Sequence, residues 1–235
     1  FLGKYSYQSS HCVFFQNEEN KEFFRNKRIV LKKSRIIPGS GVNVNQFSVL
    51  EYPRSDKIEF AFISRIMREK GIEEYLEAAQ VIKRKYPDTV FHVLGFCEEE
   101  YEKQLKYMEG KGIILYHGMQ DDIQKFIKKT HCTIHPTYYP EGMSNVLLES
   151  AACGRPVIST NRSGCKEIID HGINGYLVEP RNTTELIEKI EDFMRLSYEQ
   201  KKEMGLKGRE KVEKFFNRDI VVNAYIREIN EALAN

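Results

Sequence analysis

Ile58-Glu59-Phe60-Ala61-Phe62-Ile63-Ser64 is a short, β-rich stretch with four apolar residues in a row from Phe60 to Ile63. A strand with one wet face would alternate apolar and polar residues, so an unbroken apolar run fits a strand covered on both faces. After a polar loop comes a helical segment near Gly71–Lys85, then a second apolar run at Val90–Gly95. The alternation continues with runs at Ile113–His117, Cys132–His135, Pro156–Thr160 and Gly175–Val178. Helical segments near Glu99–Glu109, Asp121–Thr130, Ser144–Cys153 and Cys165–Asp170 separate them. Strands joined through helices imply right-handed crossovers and a mostly parallel sheet. The predicted fold class is therefore α/β, a doubly wound parallel sheet whose ligand sits at the carboxyl ends of the strands.

The last part of the chain changes character. Asn182 to Asn235 is helical by pattern, with Leu186, Ile187, Ile190 and Phe193 on one face and Thr183 and Thr184 as cap candidates. Asn217 suits the cap of a final helix carrying Ile220, Val221, Ala224, Tyr225, Ile229 and Leu233, a broad apolar stripe that should dock on something. The 235 residues allow one large domain, or one domain with appendages, and the 41% hydrophobic content supports a sizeable core. Lys and Arg (36) nearly balance Asp and Glu (34), so no global field favours nucleic acid. Five cysteines, widely spaced and without a CxxC pair, favour reduced thiols in a cytosolic protein over a disulfide framework or a zinc site. No apolar run approaches the roughly 20 residues that span a bilayer, and peripheral contact through basic helices stays open. The chain opens on Phe1 and is expected to be a fragment.

The chemistry concentrates in Tyr139-Pro140-Glu141-Gly142-Met143-Ser144-Asn145-Val146-Leu147-Leu148-Glu149. Glu141 lies in a Pro/Gly turn and Glu149 eight residues later, inside a helix that Ser144 or Asn145 would cap. A helix N-terminus offers free N–H groups and partial positive charge, a seat for phosphate. Carboxylates beside such a seat repel phosphate but accept well from hydroxyls, and a sugar nucleotide has both features. Arg65 and Lys70 follow the Ile58–Ser64 strand at its carboxyl end, where a guanidinium and an ammonium would neutralise a diphosphate without a metal. Arg68, between them, reads as a surface residue. The alternatives are solvated surface cations, glutamates that complement a helix dipole, or a retaining glycosidase pair roughly 5 Å apart. Ser163 and Gly164 would start a further helix at the same rim, either a second anion seat or an ordinary cap. His117 reads as a core or turn histidine, although the backbone after it could meet a nucleobase. His171 reads as structural. His131 and His135 sit on one strand face beside no other ligand, which argues against a metal. Asp121-Asp122 does not match an Asp-x-Asp metal motif and is better explained by a helix N-terminus capped by acids.

Several of these segments, taken in order, resemble retaining glycosyltransferases of family 4. Pro38-Gly39-Ser40-Gly41-Val42-Asn43 is similar to the family's interdomain turn, and Ser64-Arg65 through Lys70-Gly71 to its Arg…Lys-Gly loop. Glu141 and Glu149 match its Glu-x7-Glu motif. Ala152-Cys153-Gly154-Arg155-Pro156-Val157, Gly164 to Ile169 and Gly175 to Val178 extend the resemblance from about Ile36 to the end. It implies a Rossmann-like, donor-binding half of a GT-B fold with C-terminal helices. Residues 1–35 would be the remnant of an N-terminal acceptor domain, 36–216 the donor domain, and 217–235 a helix packing toward the N-terminal domain. By resemblance, Arg65 and Lys70 hold the donor diphosphate, Glu141 contacts the transferred sugar and Glu149 binds the ribose hydroxyls. The backbone of Gly142, Met143, Ser144, Asn145 and Val146 would meet the sugar and distal phosphate. Ser64 replaces a usual glycine, Asn43 an aspartate, and Ser144 stands where proline is frequent, departures that bear on donor preference.

The resulting expectation is a metal-independent, cofactor-free transferase acting from a UDP-sugar on a glycan or lipid-linked acceptor in surface polysaccharide synthesis. It would work in the bacterial cytoplasm at the inner membrane face, with most of its acceptor domain outside this chain. The alternatives are a non-catalytic sugar-nucleotide-binding module or inactive fragment, and a sugar-nucleotide epimerase or hydrolase.

Overall fold

The computed structural model describes residues 10–29, 33–97 and 99–234, so residues 1–9 and 30–32 of the expected N-terminal remnant lie outside the described residues. Strands β3 (Glu59–Ile63), β4 (Val90–Leu94), β5 (Leu115–Tyr116), β6 (Cys132–His135), β7 (Val157–Thr160) and β8 (Gly175–Val178) form one sheet in the order β5-β4-β3-β6-β7-β8. Every pairing in it is parallel. The six expected strands all occur within two residues of their predicted bounds, β5 being the most shortened. The chain runs from β3 outward to β5, then returns to the other side of β3 and runs outward again to β8. The order thus reverses between β3 and β6, the place where a sheet of this kind binds ligands at its carboxyl ends.

Helices cover both faces. Phe60 and Phe62 of β3 pack with Tyr75, Leu76 and Ile82 of α2 (Ile72–Lys85), with Leu105 of α3 (Glu99–Gly110), and with Leu186, Ile190 and Phe193 of α6 (Thr183–Arg195). On the opposite face, Ile127 of α4 (Gln124–Lys129) and Leu147, Leu148 and Ala151 of α5 (Asn145–Ala152) join Val157 of β7 and Val212 of α7 (Tyr198–Phe215). This explains the unbroken apolar reading of β3, because Phe60, Ala61 and Phe62 are all fully buried. Arg155, also fully buried, donates to the carbonyls of Ile127, Leu50 and Glu51 at 2.9, 3.1 and 2.7 Å, tying the segment before β3 beneath the sheet.

β1 (Val13–Phe15) and β2 (Ser34–Ile36) pair in parallel as a separate small sheet, with α1 (Glu18–Asn26) between them. The final helix, α8 (Arg218–Leu233), returns to this sheet. Tyr225 meets the Phe14 ring at 4.6 Å, and the buried Glu228 pairs with Lys33 at 2.7 Å and with Arg35.

Three expectations need correction. Cys165–Asp170, and the helix expected to begin at Ser163 and Gly164, fold as successive turns. Gly164 is left-handed (φ 90°), and Asn174 accepts from Asp170 N and donates to Ile168 O (2.7 and 3.0 Å), so local side-chain hydrogen bonds hold the backbone in turns. Asn182, rather than Thr183 or Thr184, caps α6 by accepting from Glu185 N. The acid-capped helix near Asp121 begins later, at Gln124, with Asp122 accepting from Gln124 N at 3.1 Å. The apolar stripe of α8 docks only in part: Val221 is buried, whereas Ile229 and Leu233 are 56% and 81% exposed. Asn217 does cap α8, accepting from Asp219 N.

Candidate active site

The loops leaving β3 and β6 meet at this reversal. After β3, Arg68–Lys70 make a single 3-10 turn that closes on Gly71. Gly71 is left-handed (φ 79°), and a Cβ there would lie 2.2 Å from Pro136 O, so the two loops meet where only glycine fits. One carbonyl fastens them: Glu69 O accepts from Tyr138 N and Tyr139 N, both at 2.9 Å, and from Thr137 Oγ1 at 3.1 Å. This seam carries Lys70 onto the β6 loop.

Lys70 Nζ forms an ion pair with Glu141 Oε1 and sits 4.7 Å from the centre of the Tyr139 ring. Both charged side chains are largely buried (14% and 15% exposed). His135, the last residue of β6, places Nε2 3.8 Å from the same Glu141 oxygen. Burial works to raise the Glu141 carboxyl, but the neighbouring His135 and Lys70 outweigh it and its pKa is lowered. Burial lowers the pKa of His135, so its imidazole stays neutral at neutral pH. His135 is therefore not the isolated strand histidine expected from its spacing. The usable signal was its position at the carboxyl end of a strand, directly before the loop.

Ser144 is the N-cap residue of α5, yet its side chain makes no capping bond; its backbone N–H donates to Gly164 O at 2.8 Å. The N–H groups of Gly142, Met143, Asn145 and Val146 have no acceptor among the described residues. A run of unfilled N–H donors at a helix start, beside an ammonium, is suited to an anion. Asn145 Oδ1 lies 3.1 Å from Ser40 Oγ, which brings the Pro38–Gly41 turn onto the same helix end. Glu149 lies within α5, and burial pushes its carboxyl up to about 7, with Arg218 opposing the shift.

Arg65 is exposed and lines a cavity of about 280 Å³ at the carboxyl ends of β3, β4 and β5, with Gly95, Phe96, Met119 and Gln120. The structure thus brings Lys70 and Glu141 together in the loop that leads into α5, whereas Arg65 lines a separate opening whose lining includes neither. Arg68 pairs with Glu73 on the surface, as expected. His117 belongs to a chain of contacts instead: its Nε2 lies 2.9 Å from His92 Nδ1, and His92 Nε2 lies 2.8 Å from Glu59. His171 Nδ1 accepts from Leu177 N at 3.1 Å, a structural role. None of the five cysteines forms a disulfide. Sequence reading also missed Asn17, a buried cap residue of α1 whose side-chain amide reaches Gly142 O at 2.9 Å.

A model of the group 1 glycosyl transferases matches residues 50–211. The chain is 28% identical over 202 residues to the N,N'-diacetylbacillosaminyl-diphospho-undecaprenol alpha-1,3-N-acetylgalactosaminyltransferase of Campylobacter jejuni, covering 80% of this chain and 52% of that protein. Among solved structures, sucrose-phosphate synthase from Thermosynechococcus elongatus superposes with a TM-score of 0.84 at 21% identity, over 98% of this chain and 60% of the other. Anabaena HepE in complex with UDP-glucose superposes with a TM-score of 0.81 at 18% identity, over 98% and 66%. These likenesses establish a GT-B domain fold, and the chain spans about half the length of the curated relative (52%). With a family match running from residue 50 to residue 211 and taking in Arg65, Lys70, Glu141 and Glu149, the chain belongs to the group 1 glycosyl transferases.

Proposed function

We propose that this chain is the donor-binding half of a retaining, metal-independent glycosyltransferase of family 4. It would transfer a hexose or N-acetylhexosamine from a UDP-sugar to a glycan or lipid-linked acceptor during surface polysaccharide synthesis. The observation that carries the reading is the Lys70–Glu141 pair at the β3/β6 switch point, beside the unfilled N–H groups of α5. An ammonium has three N–H donors, so the one held by Glu141 leaves two for a diphosphate. Lys70 and His135 both address Glu141 Oε1, which leaves Oε2 for a sugar hydroxyl. Arg65 and the cavity lined by Phe96 and Met119 suit the nucleoside and its first phosphate. Glu149 would accept from the ribose hydroxyls.

In this reading Lys70, Arg65 and the start of α5 stabilise the negative charge that grows on the leaving diphosphate, and Glu141 orients the sugar. Preorganised donors of this kind are each worth about 3 kcal/mol of transition-state stabilisation. Residues 1–35 are the end of an N-terminal acceptor domain, 36–216 the donor domain and 217–235 a helix that docks on the acceptor domain. That domain would cover the exposed Ile226, Ile229 and Leu233. No helix among the described residues is long and apolar enough to cross a membrane, and we place the enzyme at the cytoplasmic membrane face through its acceptor.

Calorimetric titration of the chain with UDP in EDTA, beside Glu149→Ala, tests the donor site. Metal-free binding that weakens in the variant is expected. No binding, or binding indifferent to Glu149, would overturn the assignment. Radiolabelled sugar transfer with and without a separately produced N-terminal half separates a transferase from a binding module, and UDP released without acceptor would indicate hydrolysis.

A further inference from the structure

Asn17 lies 124 residues before Glu141, in the segment that joins β1 to α1, and is only 2% exposed. Its side chain performs two tasks. Oδ1 accepts from Asn20 N at 2.8 Å and caps α1. Nδ2 donates to Gly142 O at 2.9 Å and lies 3.4 Å from Glu141 O. One amide therefore gathers two successive carbonyls of the donor loop to the same side. In planar trans peptides the N–H that follows each carbonyl points the opposite way. The N–H groups of Gly142 and Met143 are thus presented together on the far side, and neither has an acceptor among the described residues. Successive N–H groups turned to one side make an anion-binding concavity.

Gln16 reinforces the arrangement. A Cβ on Gly142 would fall 1.8 Å from Gln16 Oε1, so the neighbouring side chain lies directly against the Gly142 backbone. Gly142 has no left-handed φ; close approach of the β1–α1 segment is what excludes a side chain there.

We infer that Asn17 is a positioning residue that shapes the Gly142–Met143 amide pair into the seat for the distal phosphate of a nucleoside diphosphate. This rests on the donor-site reading above. It adds that the seat is set by the segment preceding α1 and not by the α/β domain alone.

The test titrates the wild-type chain, Asn17→Ser and Asn17→Asp with UMP and with UDP. Serine and aspartate both cap helices well, so α1 is preserved while the amide donor is lost; two variants guard against one that folds poorly. UMP lacks the distal phosphate and should bind all three proteins equally. UDP affinity should fall about ten-fold in both variants, the size expected for one charge-assisted hydrogen bond, while unchanged UMP affinity shows that the fold is retained. Variants that bind UDP as the wild type does would overturn the role of Asn17 and leave the donor site standing. An equal loss for UMP and UDP would show a merely structural residue. Failure of the wild type to bind either nucleotide would overturn the donor site, and this inference with it.

Discussion

Lys70 and Glu141 form a largely buried ion pair, and losing either leaves the charge of the other uncompensated. Under the proposed function, Lys70→Ala in the full-length protein should lower turnover by roughly two orders of magnitude, the loss of about 3 kcal/mol of transition-state stabilisation. Lys70→Met leaves the same unpaired carboxylate but keeps the aliphatic stem; a smaller fall in that variant would show that the stem matters, and Tm should fall alike in both. Activity and Tm declining in proportion would assign Lys70 to folding. Arg65→Lys should also lower turnover, because the planar fork is lost while the charge is kept; unchanged kcat and KM would remove Arg65 from the phosphate site. Glu149 yields a pH prediction. Burial raises its carboxyl from 4.5 to about 7, so between those values the folded protein holds a proton that the unfolded chain has released. Stability from this group is present at low pH and is lost as pH rises through about 7. In Glu149→Gln that titration is gone, and its Tm relative to wild type should climb between pH 5 and pH 8. A constant difference across that range would refute the assignment. The residue types Arg65, Lys70, Glu141 and Glu149 were legible from sequence. The Lys70–Glu141 pairing was not, because it depends on two loops 71 residues apart meeting across a strand reversal; the approach of His135 to Glu141 was not, because it depends on how the loop after β6 folds back on the strand end.

At the scale of elements, the seam between the β3 and β6 loops decides where the charged groups sit. Gly71 occupies a left-handed turn with Pro136 O against it. Gly71→Ala should cost about 2 kcal/mol or more, from the left-handed strain and the close carbonyl together, and Tm should fall by several degrees. Lys70 should move with the seam, so donor affinity should drop in the same variant; a stable variant with full affinity would show that the loops adjust independently. The strands and the long helices followed their apolar periodicity closely. The failures were short segments such as Cys165–Asp170, where a few side-chain bonds from Asn174 outweigh weak local helix propensity.

For the molecule as a whole, α8 is held to the small sheet by charge as well as by the contact of the Tyr225 and Phe14 rings. Glu228 is buried, and hydrogen bonds from Lys33 and Arg35 hold its carboxyl down at about 2 against the effect of burial. The folded pKa lies below the ordinary 4.5, so this stabilisation is present above about 4.5 and is lost as pH falls toward 2. Glu228→Gln should unfold at lower temperature than wild type at pH 7, and the gap should close by pH 2 to 3. A gap independent of pH would mean that packing, not charge, holds α8. The apolar stripe of α8 was legible from its periodicity, but periodicity marks a face and not what lies opposite it, and within this chain Ile229 and Leu233 stay exposed.

The sequence by itself determined the doubly wound parallel sheet, because unbroken apolar strands and amphipathic helices leave few other ways to bury those faces. It also determined which residue types line the carboxyl rim, since strand ends and cap residues are local features. Only the tertiary structure decided which of them meet. The reversal between β3 and β6 joins Lys70 to Glu141 and His135, and the return of the N-terminal segment sets Asn17 and Gln16 against Gly142. These contacts span 71, 6 and 125 residues. The distant ones rest on hydrogen bonds and close approaches that no local pattern encodes.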